Sequence, residues 1–323
     1  MAAVPLPAAV GLGARRRRAP LLRLLGFLLG LLIVTAPVPA GADDRPVRLV
    51  TFNLLHGGPW TRFTGDDQHL ERRLAMIVED LRAIDPDVVA LQESPVTRRH
   101  GDVAARLAQA LGLPHVVHAR ATERVFGPRW LGRLIVGALG FVEGPAILSR
   151  FPITASEIHD LPRCQRWLEP RVALRADLAT PAGAVAVFST HTSRDDCQTR
   201  RVAELAGAVP GHPAVVMGDL NTGDTAPVLA AFSDHGFVDA FRAANPAAPG
   251  PTVWQRIDAS AATVQRRVDY VFVRAGGGVA AGPVSGRVVL NTPRPLGDGA
   301  VLWPSDHYGV LVEVDLLRPA SAR

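Results

Sequence analysis

An α/β layered domain is predicted on three grounds. After residue 43, apolar β-rich runs alternate with segments whose apolar residues recur at helical spacing. At least seven such strands are legible, and no linker, repeat or low-complexity tract interrupts them. The polar residues of chemical interest repeatedly fall where a strand runs out into a loop, the usual place for a site carried on a rigid scaffold.

The first strand is RLVTFNLL (48–55), running toward a turn at Gly57-Gly58. Leu70, Leu74, Ile77, Val78 and Leu81 share one helical face, and Asp85-Pro86 stops that helix, because a residue before proline is pushed out of the α region. DVVALQE (87–93) reads as a buried strand, 103–111 as a second helix, and PAILSRFPI (145–153) as a strand closed by proline. RVALRADL (171–178) and AVAVFSTH (184–191) flank TPAG as a β-hairpin. A helix around 202–209 leads into AVVMGDLN (214–221), and RVDYVFV (267–273) and YGVLVEVDL (308–316) complete the strands.

The chain has 323 residues, 48% hydrophobic and 20% charged, enough to bury a large core. All 35 basic residues are Arg, a uniformity that points to coding bias, so counting Arg says little about partners. Five of them (Arg15, Arg16, Arg17, Arg18 and Arg23) precede residue 43 in a stretch without acid. From there on, 30 Arg face 30 acidic residues, and the net charge gives no sign of a polyanionic partner. The basic block, the apolar run 21–38 and AGA at 40–42 read as an export signal, 1–42, cleaved before Asp43. Residues 43–323 then form one domain in a secreted or cell-envelope protein. The rival reading is an uncleaved anchor, since the run approaches the ~20 residues that span a bilayer.

The two cysteines, Cys164 and Cys197, are expected to pair. They are even in number, and export implies an oxidising compartment. The hairpin ladder, continued outward from Thr180 opposite Gly183, also brings them nearly opposite each other. The alternative is two thiols, one of them a metal ligand.

Five segments end an apolar run on a polar group: Phe52-Asn53, Gln92-Glu93, Thr190-His191, Gly218-Asp219-Leu220-Asn221 and Ser305-Asp306-His307. A sixth, Arg267-Val268-Asp269-Tyr270, places an acid within a strand. Singly, each has an ordinary reading, because Asn or Asp at a strand end is commonly a turn former and a lone His a satisfied one. Asp219 and Asn221, two apart on an extended chain, point the same way. The set is far more improbable than its members.

In this order the segments resemble the endonuclease/exonuclease/phosphatase (DNase I-like) superfamily. TFNLLHGG, PDVVALQES, GPAILSRFPI, FSTHTS, VVMGDLNT, RVDYVFV and PSDHYGVLVEV carry the resemblance across residues 48–316. It implies a four-layer α/β sandwich, two β-sheets face to face with helices on both outer faces. It also implies a divalent-metal-dependent phosphoesterase that attacks its ester with water. Glu93 would ligate Mg²⁺ (or Mn²⁺), with Asn53 supporting the metal shell or the phosphate and Asp306 completing the shell. Asp219 would orient or deprotonate the water, and Asn221 would hold the phosphate. His307, oriented by Asp269, would contact phosphate oxygens or exchange protons, and His191 would stabilise charge on phosphorus.

Departures from the pattern bear on substrate. The DNA-repair branch of the superfamily usually has Asp or Asn where this chain has Leu55, and Tyr where it has Val142. A phosphodiester substrate is expected, from a lipid head group, a small organic diester or extracellular nucleic acid, with a nuclease proper not favoured. Residues 130–142 (WLGRLIVGALGFV) are almost wholly apolar. They read either as a short buried helix or flap, or as an exposed patch that touches lipid. A catalytically silent binding module on the same scaffold is the alternative from another class. No expected metal or water-positioning residue is missing, which speaks against it.

Overall fold

Strands covered on both faces must be apolar throughout, and alternate residues of β1 (Val47–Asn53) and β2 (Val88–Thr97) go to two different cores. Val47, Leu49, Val88 and Ala90 face a core shared with a second sheet, while Val50, Phe52, Val89 and Leu91 face helices. The structure, a computed structural model, describes residues 45–56, 67–124, 128–164, 169–279, 281–297 and 299–316. The expected export segment 1–42 and the Gly57-Gly58 turn lie outside the described residues.

The first sheet contains β1, β2, β4 (His115–His118), β5 (Phe141–Ser149), β12 (Gly282–Val289) and β15 (Gly309–Asp315), in the order β12-β15-β1-β2-β5-β4, with β3 (Gly101–Asp102) paired to β2. The second contains β6 (Ile153–Asp160), β7 (Val172–Thr180), β8 (Gly183–His191), β9 (Ala214–Asp219), β10 (Val238–Asp239) and β11 (Asp269–Arg274), in the order β10-β11-β9-β8-β7-β6. A separate small hairpin pairs β13 (Arg294–Gly297) with β14 (Ala300–Leu302). Helices α1 (Leu70–Ile84) and α2 (Val103–Leu111) cover the outer face of the first sheet, with Leu70, Ile77, Leu81 and Leu107 in its core. On the outer face of the second, α4 (Asp196–Gly207) and the short α5 (Ala230–Asp234) pack Val202, Ala206 and Phe232 against Phe188, Val216 and Phe272. Between them, α3 (Arg129–Leu139) precedes β5, and α6 (Ala240–Ala244) follows β10. Two large sheets flanked by helices are therefore present, as the resemblance implied.

In each large sheet one pair of strands is parallel, β1 with β2 and β8 with β9, joined through α1 and α4 respectively. The registers place Asn53, at the carboxyl end of β1, beside Gln92, and His191 beside Asp219 at the carboxyl ends of β8 and β9. That is the edge where open α/β sheets place their ligands.

Several elements depart from expectation in instructive ways. β2 continues to Thr97, past an irregularity between Leu91 and Ser94. The segment 145–153 is not one strand. β5 ends at Ser149, whose Oγ accepts from Phe151 N at 2.9 Å, and β6 begins after Pro152. β6 itself is a half-exposed edge strand whose polar composition carries no strand signal.

Cys164 and Cys197 form a disulfide with Cα atoms 6.7 Å apart, but not across the ladder. Pairing of β7 with β8 stops at Ala173 opposite Thr190. Cys164 lies in the β6–β7 loop and Cys197 in the first turn of α4, where Gln198 Nε2 also donates to Pro162 O at 2.8 Å. The bridge staples a loop to a helix. Replacing both cysteines by Ser should lower stability by about 3–4 kcal/mol on the chain-entropy model, read as a lower denaturation midpoint at unchanged slope. An unchanged midpoint would show that the loop is held without it.

Candidate active site

The polar residues singled out from the sequence come together at one edge of the molecule. Asn53 ends β1 and Glu93 sits at the irregularity of β2, His191 ends β8, Asp219 ends β9 and Asp269 begins β11. Ser305, Asp306 and His307 lie between β14 and β15. Glu93 has φ 51°, a left-handed conformation rare outside glycine, and the bulge turns its side chain out of the strand's alternation. Gly218, before Asp219, has φ 156°, and a Cβ there would stand 2.0 Å from Thr190 O. Only glycine lets β9 lie that close to β8 at the site.

Asp219 is the hub. Its Oδ1 accepts from Asn221 N at 2.7 Å, and its Oδ2 accepts from Asn53 Nδ2 at 3.1 Å. The same Oδ2 lies 3.3 Å from His191 Nε2 and 3.6 Å from His307 Nε2. Asn53 Nδ2 also reaches Glu93 Oε1 at 3.3 Å, and Asn53 Oδ1 accepts from Leu55 N at 3.1 Å, so this amide ties the two carboxylates across the two sheets. Ser305 Oγ donates to Asn53 O at 2.7 Å and anchors the loop that carries Asp306 and His307. Asn221 Nδ2 donates to Thr192 O at 2.8 Å and lies 3.0 Å from His191 Nε2.

The two histidines differ in charge. Arg171 NH1 donates to His191 Nδ1 at 2.8 Å, and since a guanidinium only donates, the imidazole proton belongs on Nε2, facing Asp219. Burial, with the Arg171 charge behind it, pushes His191 well below the usual histidine range, so the ring is neutral. His307 is the reverse case. Burial alone would lower it, but the charges of Asp269 and Asp219 and the 2.9 Å hydrogen bond between Nδ1 and Asp269 Oδ2 raise it to about 10. The imidazolium sits between two buried carboxylates. Burial raises Asp219 to about 7, against the pull of His307 and with a further push from Asp269. Burial would raise Glu93 too, but His56, His191, His307 and Arg171 around it bring it down to about 2.

The His307 pairing makes a stability prediction. A histidine whose folded value lies near 10 rather than the ordinary 6.5 adds stability that is fully present below about 6.5 and lost as pH rises through about 10. In EDTA, the melting temperature should fall between about pH 7 and pH 10, and His307→Asn should flatten that fall. Parallel curves for the two proteins would refute the assignment.

These groups line a cleft of about 310 Å³ together with Glu169, Ser193, Arg194 and Trp254. Asp306 and Glu93 fit a hard divalent cation. Burial and the neighbouring Glu93 carboxylate both raise Asp306, an unfavourable juxtaposition of oxygen donors that a cation would relieve. Asp219, Asp269 and His307 also bring ligand atoms within 4.8 Å of one another, a second set of donors of the kind that takes a cation. His56, Glu93 and Glu143 form another such group, sharing Glu93.

Three contributors were missed from the sequence. Arg171, at the foot of β7, lines the cleft and holds His191, and its buried Nε has no hydrogen-bond partner among the described residues. Glu143 stands beside Glu93. Arg73 of α1 is fully buried and donates to Leu54 O at 2.6 Å, Leu55 O at 2.7 Å, Gln68 O at 2.8 Å and Pro304 O at 3.2 Å. It thereby joins the segment after Asn53 to the one before Ser305.

The profile of the Endonuclease/Exonuclease/phosphatase family matches residues 50–307. Among solved structures, the chain is similar to an endonuclease/exonuclease/phosphatase from Beutenbergia cavernae, at 26% identity and TM-score 0.61, covering 84% of this chain and 72% of that one. It is similar to a mannosyl-6-phosphatase from Bacteroides thetaiotaomicron at 19% identity and TM-score 0.62, over 83% of this chain and 99% of that one. A third likeness is to an endonuclease/exonuclease/phosphatase from Bacteroides vulgatus, at 19% identity and TM-score 0.57, over 84% and 100%. Curated protein sequences give no significant match.

Proposed function

The chain belongs to the endonuclease/exonuclease/phosphatase family, whose members hydrolyse phosphoester bonds, and from that premise we propose that it hydrolyses a phosphodiester outside the cytoplasm with Mg²⁺ or Mn²⁺. The observation that carries the reading is the Asp219 carboxylate, buried yet facing the cleft, with donors fixed on both oxygens and raised to about 7. Such a group is poised to take a proton from water near neutral pH.

Glu93 and Asp306 would hold the cation, which neutralises phosphate charge and polarises the ester. Asn53 keeps Glu93 and Asp219 at fixed separation. His307, kept cationic by Asp269, faces the developing charge on the phosphoryl oxygens and can protonate the departing oxygen. Arg171 adds positive charge beside the substrate anion, and neutral His191 offers Nε2–H as a hydrogen-bond donor. Asn221 is held beside them by Thr192. No side chain needs to become covalently attached.

The disulfide supports an oxidising compartment, in line with reading 1–42 as an export signal. Among the described residues, no helix is long and apolar enough to cross a membrane. A nuclease remains the second reading, favoured by Trp254, which is 53% exposed at the cleft with the Arg194 guanidinium 4.7 Å from its ring centre, an arrangement on which a base can stack.

The test is a substrate panel of bis-p-nitrophenyl phosphate, sphingomyelin, phosphatidylinositol, RNA, plasmid DNA and mannose 6-phosphate, with Mg²⁺ or with EDTA. Diester hydrolysis abolished by EDTA is expected. Full activity in EDTA, or turnover of the monoester alone, would overturn the proposal.

A further inference from the structure

Helix α3 inverts the usual arrangement of a surface helix, which turns its apolar stripe inward and its polar face to water. Its buried side is Gly132 and Val136, and a Cβ on Gly132 would stand 2.0 Å from Glu123 O, so the helix lies flat against 121–124. Ile135 and Leu139 are half-buried, but three of its large apolar side chains point away from the protein. Trp130 is 63% exposed, Leu134 64% and Leu131 36%, and Gly137 and Ala138 continue the same exposed row one turn on. Counted from Trp130 these positions are i, i+1, i+4, i+7 and i+8, so they form one strip along the helix. Trp130 and Leu134 are the most exposed large hydrophobic residues among those described.

The surroundings of the strip are cationic. Arg133, on α3, is 66% exposed, and Arg120 is 51% exposed. With Arg124, His118, Glu123 and Ile158 they line a cleft of about 210 Å³ beside the helix. Arg120 and Arg133 share the one carboxylate of Glu123 while Arg124 pairs with Asp160, which leaves one positive charge in excess. Arg98 donates to Gly137 O at 3.1 Å at the other end. At its carboxyl end, α3 passes through Gly140 into Phe141, whose ring meets that of His56 edge-on at 5.1 Å.

We propose that α3 is an interfacial helix that docks the protein on bilayers carrying anionic phospholipid, with Trp130, Leu131 and Leu134 entering the acyl boundary and Arg98, Arg120 and Arg133 meeting the lipid phosphates. An apolar strip alone would suit many partners. The exposed guanidiniums of Arg120 and Arg133 beside it, with only Glu123 between them, select a surface that is apolar beneath and anionic at its top, which describes the head-group region of an anionic leaflet. A helix of 11 residues lying in that plane needs no further insertion. The inference does not depend on the phosphoesterase reading, and its test contains no catalytic step.

The mature chain from Asp43 should co-sediment with vesicles of phosphatidylcholine containing roughly one third phosphatidylglycerol, and far less with phosphatidylcholine alone or at high salt. The double variant Trp130→Ser/Leu134→Ser should partition about tenfold less, with an unchanged circular-dichroism spectrum and melting temperature. Arg120→Gln/Arg133→Gln should lose the preference for the anionic vesicles. Equal sedimentation of wild type and the first variant, or no sedimentation of wild type, would overturn docking through this helix. A lipid-free dimer that the first variant abolishes would assign the strip to a second copy of the chain instead.

Discussion

Asp219→Asn is expected to lower phosphodiester hydrolysis by at least about 10³-fold while leaving the fold intact. Asn preserves the size of the side chain and an acceptor for Asn221 N, but it cannot take a proton. Glu93→Gln should be comparably severe through the loss of metal affinity, and the two variants separate by metal titration, which only Glu93→Gln should weaken strongly. The pH dependence follows from the same carboxylate. Because burial raises Asp219 to about 7, its basic form dominates above that value, so kcat/KM should climb with unit slope below about pH 7 and level off above it. The raised value also costs stability. The folded state holds this proton between the ordinary 3.8 and about 7, so the buried carboxylate destabilises the fold as pH rises through that window. Near-normal turnover in Asp219→Asn would sink the proposed mechanism.

Arg73→Met is the most damaging substitution expected away from the cleft. Arg73 donates to four backbone carbonyls, at Leu54, Leu55, Gln68 and Pro304, and a thioether satisfies none of them. Each buried acceptor left without a partner costs about 1–3 kcal/mol, so even with water entering some of the space the loss is on the order of 3–5 kcal/mol. Against a total stability of about 5–15 kcal/mol, that leaves much of the protein unfolded or aggregated. Arg73→Lys should fall between, keeping the charge but not the planar fork that reaches four oxygens. A melting temperature for Arg73→Met within a few degrees of wild type would show that these carbonyls are satisfied in some other way.

The contrast between Asp219 and Arg73 explains what the sequence could show. Asp219, Glu93, His191 and His307 stand out because each follows an apolar strand that would otherwise have no reason to end on a polar group. α1, α2 and the β7–β8 hairpin were legible from periodicity and turn residues, with bounds displaced by only a few residues. Arg171 and Arg73 were hidden by composition, since in a chain whose every basic residue is Arg no single one draws notice. A signal for Arg73 existed all the same. It lies three residues after Leu70 and next to Leu74, on the apolar face of α1, where a charged side chain must either leave the core or be fully paired. The disulfide shows the limit of extrapolation. The pairing was correct, but a ladder cannot be continued through a loop, and the cysteines meet by way of α4. In the apolar stretch 130–142, Gly140 separates a helix from a strand, a division that hydrophobicity alone could not register.

The amide of Asn53, bridging Glu93 on one sheet and Asp219 on the other, makes catalytic competence a late event in the life of the molecule. Asn53 and Asp219 are 166 residues apart, and Ser305, which fixes the last loop to Asn53, is 252 residues away. No contiguous portion of the chain contains the machinery, and neither sheet alone can rehearse it. A nascent polypeptide leaving the ribosome is therefore chemically silent until β15 has joined β1 and the two sheets have closed on each other. Pairings this distant in sequence are also the slow ones to form.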